Sequence, residues 1–381
     1  MATYYVSSLE DPVSSSGNAG TLADPMGLQE AMTAAVAGDE IRVMDDGDYI
    51  FAGERTPGTP TASEASPILM TGANASGIVD GSCPYIENTT GNDEFIAASI
   101  QWWLFEHLRV KCYNRITFNS AVNCRFFDVS VYGTGVSSRF ASGSGSQFIS
   151  CTFDGTGIFY ASNFSQSRTF IDCLAVNATS FVAPSSNSRR GDHHIGCVAL
   201  NCSSHGFHLR AGGDEGISFA GCLALSCGGS GFLFDSTGNS GNTIASGCIA
   251  IDCAGDGFTI PSSSNNQMVT LADCVSVLCG GYGFFHGDSV NVNKVIRRCY
   301  GHGNTSGLES GGWLGAAVAL GADPFVDSLA GDILLASNSA ADILKAVSAS
   351  AGNGMVSSRF PFRALVGVLG GGGGGTRAWF G

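Results

Sequence analysis

The sequence predicts an all-β solenoid, a parallel β-helix, and three observations carry that prediction. Cys124, Cys151, Cys173, Cys197, Cys222, Cys248, Cys274 and Cys299 are separated by 27, 22, 24, 25, 26, 26 and 25 residues. A second series, Cys202, Cys227, Cys253 and Cys279, follows members of the first by five residues. The pairs Gly206-Phe207, Gly231-Phe232, Gly257-Phe258 and Gly283-Phe284 step in the same phase. A fixed period of about 20–50 residues marks a stack of supersecondary units that bury their apolar faces on one another.

Each unit is short strand, turn, short strand. In Cys222-Leu223-Ala224-Leu225-Ser226-Cys227, side chains alternate over a few residues and break at Ser, Gly or Asn, leaving no room for a helix. Residues at equal phase then stack about 4.8 Å apart, so the cysteine series become interior ladders and the Phe series fills the wider part of the coil. A C-x4-C spacing also suits zinc or a disulfide, and five residues along one strand point to opposite faces unless a turn intervenes. Four successive copies with no His or acid in phase favour stacked free thiols.

Composition limits the function classes. The chain has 381 residues, 44% hydrophobic and 13% charged, which is enough for a large core and excludes wholesale disorder. Its 54 glycines follow no strict triplet period, which excludes collagen. The net charge is −14, and Lys111, Lys294 and Lys345 are the only lysines, a poor match to DNA, RNA or an anionic membrane. No apolar run approaches the roughly 18 residues of a membrane span. The start, with neither a basic nor an apolar leader segment, reads as a strand made in the cytosol.

In chain order, residues 1–39 hold a strand at Tyr4-Tyr5-Val6 and a capping helix. Asp24 is expected at the N-cap, Pro25 at the first helical position, Leu28, Met32, Ala35 and Val36 on the apolar face, and Gly38 at the stop. Residues 40–315 form the coil, about eleven rungs on the order of 50 Å long. Its early units are degenerate: His107 takes the first cysteine position and Cys112 the second, while Cys83 falls outside every ladder. Residues 316–363 close the coil. Residues 364–381 are a tail whose six glycines, Gly370 to Gly375, tether a docking peptide containing Arg377, Trp379 and Phe380.

The opening, from Tyr4-Tyr5-Val6-Ser7 through the helix to Gly38-Asp39-Glu40-Ile41-Arg42-Val43 and Asp46-Gly47-Asp48-Tyr49, resembles that of the pectate-lyase-like superfamily. The stretch from Asp323-Pro324-Phe325-Val326-Asp327 to Ala341-Asp342 resembles its closing element. The resemblance covers nearly the whole chain and implies a right-handed coil. It implies little about activity, because that superfamily holds lyases, hydrolases, epimerases, adhesins and viral spikes.

Superfamily lyases commonly use an Arg or Lys base with calcium or further cations, a site hard to build from three lysines. The densest polar cluster is Arg189-Arg190-Gly191-Asp192-His193-His194, with His205, His208 and Arg210 half a rung on. Arg189, Arg190, His205, His208 and Arg210 are the candidate glycan contacts. Arg190, Asp192, His194 and His302 are the candidate catalytic groups. Hydrolases of the polygalacturonase type carry a Gly-His-Gly, matched by Gly301-His302-Gly303, but their accompanying Asp set does not occur on the preceding rungs. No metal and no cofactor are expected. A virion surface protein is the favoured reading: a bacteriophage tail spike, fibre or capsid decoration, released by lysis. Its partners would be other virion proteins through the tail, host surface polysaccharide and further copies of itself, as in a trimer. An extracellular polysaccharide lyase or hydrolase and an exported adhesin or stalk are the alternatives.

Overall fold

The computed structural model describes residues 1–321, apart from 11–16, 60, 90–93, 97–98, 114–115, 119–120, 136–138, 142, 144, 163–167, 185–190, 212–215, 237–241, 262–267 and 288–292, and the strand pair Phe325–Asp327 and Asp332–Leu335. Arg189, Arg190 and the tail with Arg377, Trp379 and Phe380 lie outside the described residues.

The architecture is the expected all-β parallel solenoid. One column of parallel strands starts at Thr3–Val6 and climbs through Glu40–Asp45, Ile68–Asn74, Trp103–Cys112 and Arg125–Gly133. It continues through Gln147–Ile149, Thr169–Ile171, His193–Ile195 and Ile217–Ala220 to Lys294–Arg297. A second column runs from Tyr49–Phe51 through Tyr85–Asn88 to Val318–Ala319, slightly past the expected end of the coil. A third holds Phe207–Ala211, Phe232–Ser236, Phe258–Ile260, Tyr282–His286 and Gly307–Ser310.

The five-residue cysteine spacing places both thiols inside because a left-handed bend precedes each. Ser226, Asp252 and Leu278, immediately before Cys227, Cys253 and Cys279, have φ of 52°, 51° and 57°. In the first series Ser150, Asp172, Gly196, Gly221, Gly247, Asp273 and Arg298 hold the same bend. Thus Cys222 and Ala224 face inward, Leu223 and Leu225 outward, and the bend at Ser226 resets the alternation so that Cys227 faces inward again. No two cysteines are bonded. Burial pushes the thiols of Cys173, Cys197, Cys248 and Cys274 well above their usual range, and they donate to backbone carbonyls, as Cys173 does to Phe148 at 3.4 Å.

Aromatic ladders fill the rest. Phe207, Phe232, Phe258 and Phe284 stack with centroids 4.9, 4.8 and 5.2 Å apart. Each follows a glycine because that position faces the small inward Ala224, Ala250 and Ser276; a Cβ on Gly231 would lie 2.7 Å from that of Ala250.

Three expectations are corrected. Cys124 does not join the first cysteine ladder: Arg125 pairs with Gln147, so Cys124 sits opposite Ser146, whose Oγ accepts its N–H at 3.2 Å. The position below Cys151 is Val129, and below that Leu108, so His107 and Cys112 each stand one residue off the ladders. The helix is Leu28–Ala34 with Gly27 at its N-cap, not a helix from Pro25. Met26 pairs with Val6, its N–H bonding Tyr5, and the Asp24 carboxylate accepts the Ala19 N–H at 2.9 Å, which keeps that stretch extended. Leu28, Met32 and Ala35 are buried as expected, whereas Val36 is 54% exposed.

Candidate functional site

The residues singled out in the sequence separate into different environments. Asp192 and His194 are fully buried inside the coil. Asp192 pairs with the buried Arg168 at 3.0 Å. The His194 ring continues a Phe ladder, stacked 4.7 Å from both Phe170 and Phe219. Neither group reaches a polymer outside the shaft, so their expected catalytic role is replaced by a structural one: each lies in a column of inward-facing residues. His302 is in a strand, its Nδ1 3.0 Å from the Leu320 carbonyl oxygen, and Gly303 supplies the left-handed bend after it.

His205 and His208 are brought together on the outer side of the third column, with ring centroids 5.2 Å apart. The His205 Nδ1 accepts the Ser230 N–H at 3.0 Å, and burial lowers its pKa, so the ring is held neutral. His208 Nε2 lies 4.0 Å from Asp235, whose backbone is in register with that of Arg210.

A richer constellation lies elsewhere, on the outer face of the second column's lower rungs, above Tyr49–Phe51. Two outward rows run up the shaft there: Tyr85, Arg109, Ser130 and Thr152, and beside it Glu87, Lys111, Tyr132 and Asp154. Glu87 is the hub. Its carboxylate accepts from Lys111 Nζ at 2.9 Å, Tyr113 OH at 2.6 Å and Tyr85 OH at 2.8 Å. Burial opposes its charge, but these bonds outweigh burial and hold its pKa below the ordinary value. The hydrogen bond to Glu87 raises the Lys111 pKa, so the amine stays a cation. Burial raises the Asp154 pKa, partly offset by a hydrogen bond from Asn177.

At the bend beside these rows stand Cys83, His107 and Asp128. His107 Nδ1 is 2.9 Å and Cys83 Sγ 3.8 Å from the same oxygen, Oδ2 of Asp128. One ligand atom from each of the three lies within 4.8 Å of the others. Burial and the Asp128 charge push the Cys83 thiol up to about 11, against the pull of Arg109. No metal was expected here; the structure nonetheless assembles a sulfur, a nitrogen and an oxygen donor. The alternation Tyr85-x-Glu87 and Arg109-x-Lys111-x-Tyr113 is visible in the sequence, but linking them requires the rung register, which the cysteine repeat misses by one residue.

Further up, the same two outward rows change character. They become Leu174, Val198, Leu223, Ile249 and Val275, and Val176, Leu200, Leu225, Ile251 and Val277. These form an apolar cluster separate from the core.

No family model and no curated protein matches the chain. Solved structures do. Pectate lyase Pel9A superposes with a TM-score of 0.52 at 18% identity, over 89% of this chain and 90% of its own. The chain folds as a right-handed parallel β-helix. A PL6 family polysaccharide lyase from Pseudopedobacter saltans gives 0.45 at 14% identity over 78% and 92%, and a rhamnogalacturonan lyase 0.41 at 15% over 80% and 74%. At such identities the likeness establishes the fold alone.

Proposed function

We propose that this protein is a carbohydrate-binding β-helix shaft that engages a polysaccharide along the outer face of its lower rungs. The observation that carries the reading is the change along the outward rows, from Tyr85, Arg109, Glu87, Lys111, Tyr132 and Asp154 to leucine, valine and isoleucine. Tyrosine presents an apolar ring with a polar tip, and a sugar ring has the same mixture of C–H faces and hydroxyls. Arginine and carboxylates add directed, charge-assisted hydrogen bonds.

Binding is favoured over turnover because Lys111 is held as a cation by Glu87 and cannot take a proton. Asp192 and His194 are enclosed in the core. The setting we propose is a virion surface, with host glycan as the partner; the supporting observation is a ladder of buried, unbonded thiols that needs no oxidising compartment.

The test is electrophoresis of the purified chain through gels containing neutral or acidic polysaccharides. Retardation in at least one polymer is expected. Replacing Arg109 and Tyr132 together by Ala should weaken it by tenfold or more, about 1.4 kcal/mol. Retardation unchanged in that variant overturns the assignment of the face. Shortening of the polymer by wild-type protein supports the lyase or hydrolase alternative instead.

A further inference from the structure

We infer that Cys83, His107 and Asp128 form a binding site for one zinc-class transition-metal dication. The inference stands apart from the carbohydrate reading, since it concerns the metal alone.

The fold brings the donors together from separate places. His107 and Asp128 occupy equal positions on successive rungs, each in a left-handed bend with φ of 54° and 51°. The bend aims both side chains out of the coil in the same direction. Higher in this bend row stand Ser150, Asp172, Gly196, Gly221, Gly247, Asp273 and Arg298, so within the row only this level places an imidazole directly against a carboxylate. Cys83 approaches from the turn before the strand Tyr85–Asn88, one rung below. Thirteen of the fourteen cysteines are buried; Cys83 is the one with partial exposure.

The donor set selects the ion. Thiolate and imidazole suit zinc and its late first-row neighbours, whereas magnesium and calcium take oxygen cages. A tetrahedral ion with bonds of about 2.0–2.3 Å sets its ligands roughly 3.3–3.8 Å apart. The sulfur–oxygen separation is already 3.8 Å, and the nitrogen–oxygen separation of 2.9 Å must widen by about half an ångström. Asp128 is 44% exposed at its side chain, so it can move and a fourth position opens to solvent. Three protein ligands plus one open position is the count found in sites where zinc meets an exogenous ligand. Arg109 lies two residues beyond His107 on the same strand, beside the thiol, where it would favour an anion in that position.

The experiment is calorimetric titration of reduced, chelator-treated full-length protein with Zn²⁺, and spectroscopic titration with Co²⁺. We expect one ion per chain and a thiolate-to-cobalt charge-transfer band in the near ultraviolet. Cys83→Ser should abolish that band and weaken Zn²⁺ binding at least tenfold. His107→Gln and Asp128→Asn should weaken binding by a similar factor, while His193→Gln, on the exposed side of another strand, should bind as wild type. Absence of saturable Zn²⁺ binding overturns the site. So does binding of equal strength in Cys83→Ser, or a Ca²⁺ affinity that matches that for Zn²⁺. Because all three residues are outward-facing, the three variants together keep the test decisive if one of them folds poorly.

Discussion

The smallest unit that explains this molecule is the residue before each interior cysteine. A side chain in the left-handed region costs an ordinary residue about 1–2 kcal/mol, least for Gly, Asn and Asp. That is why Gly196, Gly221, Gly247, Asn201, Asp172 and Asp252 recur there. The cost is met because the bend turns the next thiol into the core. Replacing Gly221 by Val should therefore destabilise the chain by about 1–2 kcal/mol, and by Asn only by a fraction of that, read from urea midpoints at constant slope. Equal losses for the two variants would mean that space, not the backbone angle, selects glycine at this position.

Elements come next, and here sequence and structure part in an instructive way. The Cys and Gly-Phe series from about residue 150 onward were legible because their rungs have nearly constant length and small apolar residues recur at each corner. Before that point the rungs vary in length, from 35 residues between Leu69 and Leu104 to 21 between Leu104 and Arg125, and the bend falls inside unbroken strands such as Trp103–Cys112. Counting cysteines across that change displaced His107 and Cys112 by one residue and put Cys124 in the wrong ladder. One residue is the difference between inside and outside, so the outward rows of Tyr85, Arg109, Glu87 and Lys111 stayed hidden. The same limit hid the interior position of Asp192: a polar run reads as a loop unless the register is known. Inside, Arg168 and Asp192 are a buried ion pair, and removing one partner takes away the opposite charge that compensates the other. Asp192→Ala should cost about 3–5 kcal/mol in denaturant unfolding, and the double replacement Arg168→Met with Asp192→Leu should recover most of it. A small loss in the single variant would show that the arginine finds other support.

At the scale of the whole molecule, stacked rungs make a rod whose faces can differ in chemistry while the core stays uniform. The core ladders of Cys and Phe fix the shaft, and the outward rows are left to function. Against a net charge of −14, Arg109 and Lys111 are the cations on which the proposed polymer contact rests. The His205 and His208 pair on the third column, two of the glycan contacts expected from the sequence, is the competing location. Hydrogen exchange of the intact chain, with and without the polymer that retards it in the gel, separates the two most directly. Protection confined to the strands Tyr85–Asn88, Trp103–Cys112 and Arg125–Gly133 is the result expected from the outer-face account. Protection centred on Phe207–Ala211 and Phe232–Ser236, with the lower rungs unchanged, would contradict it.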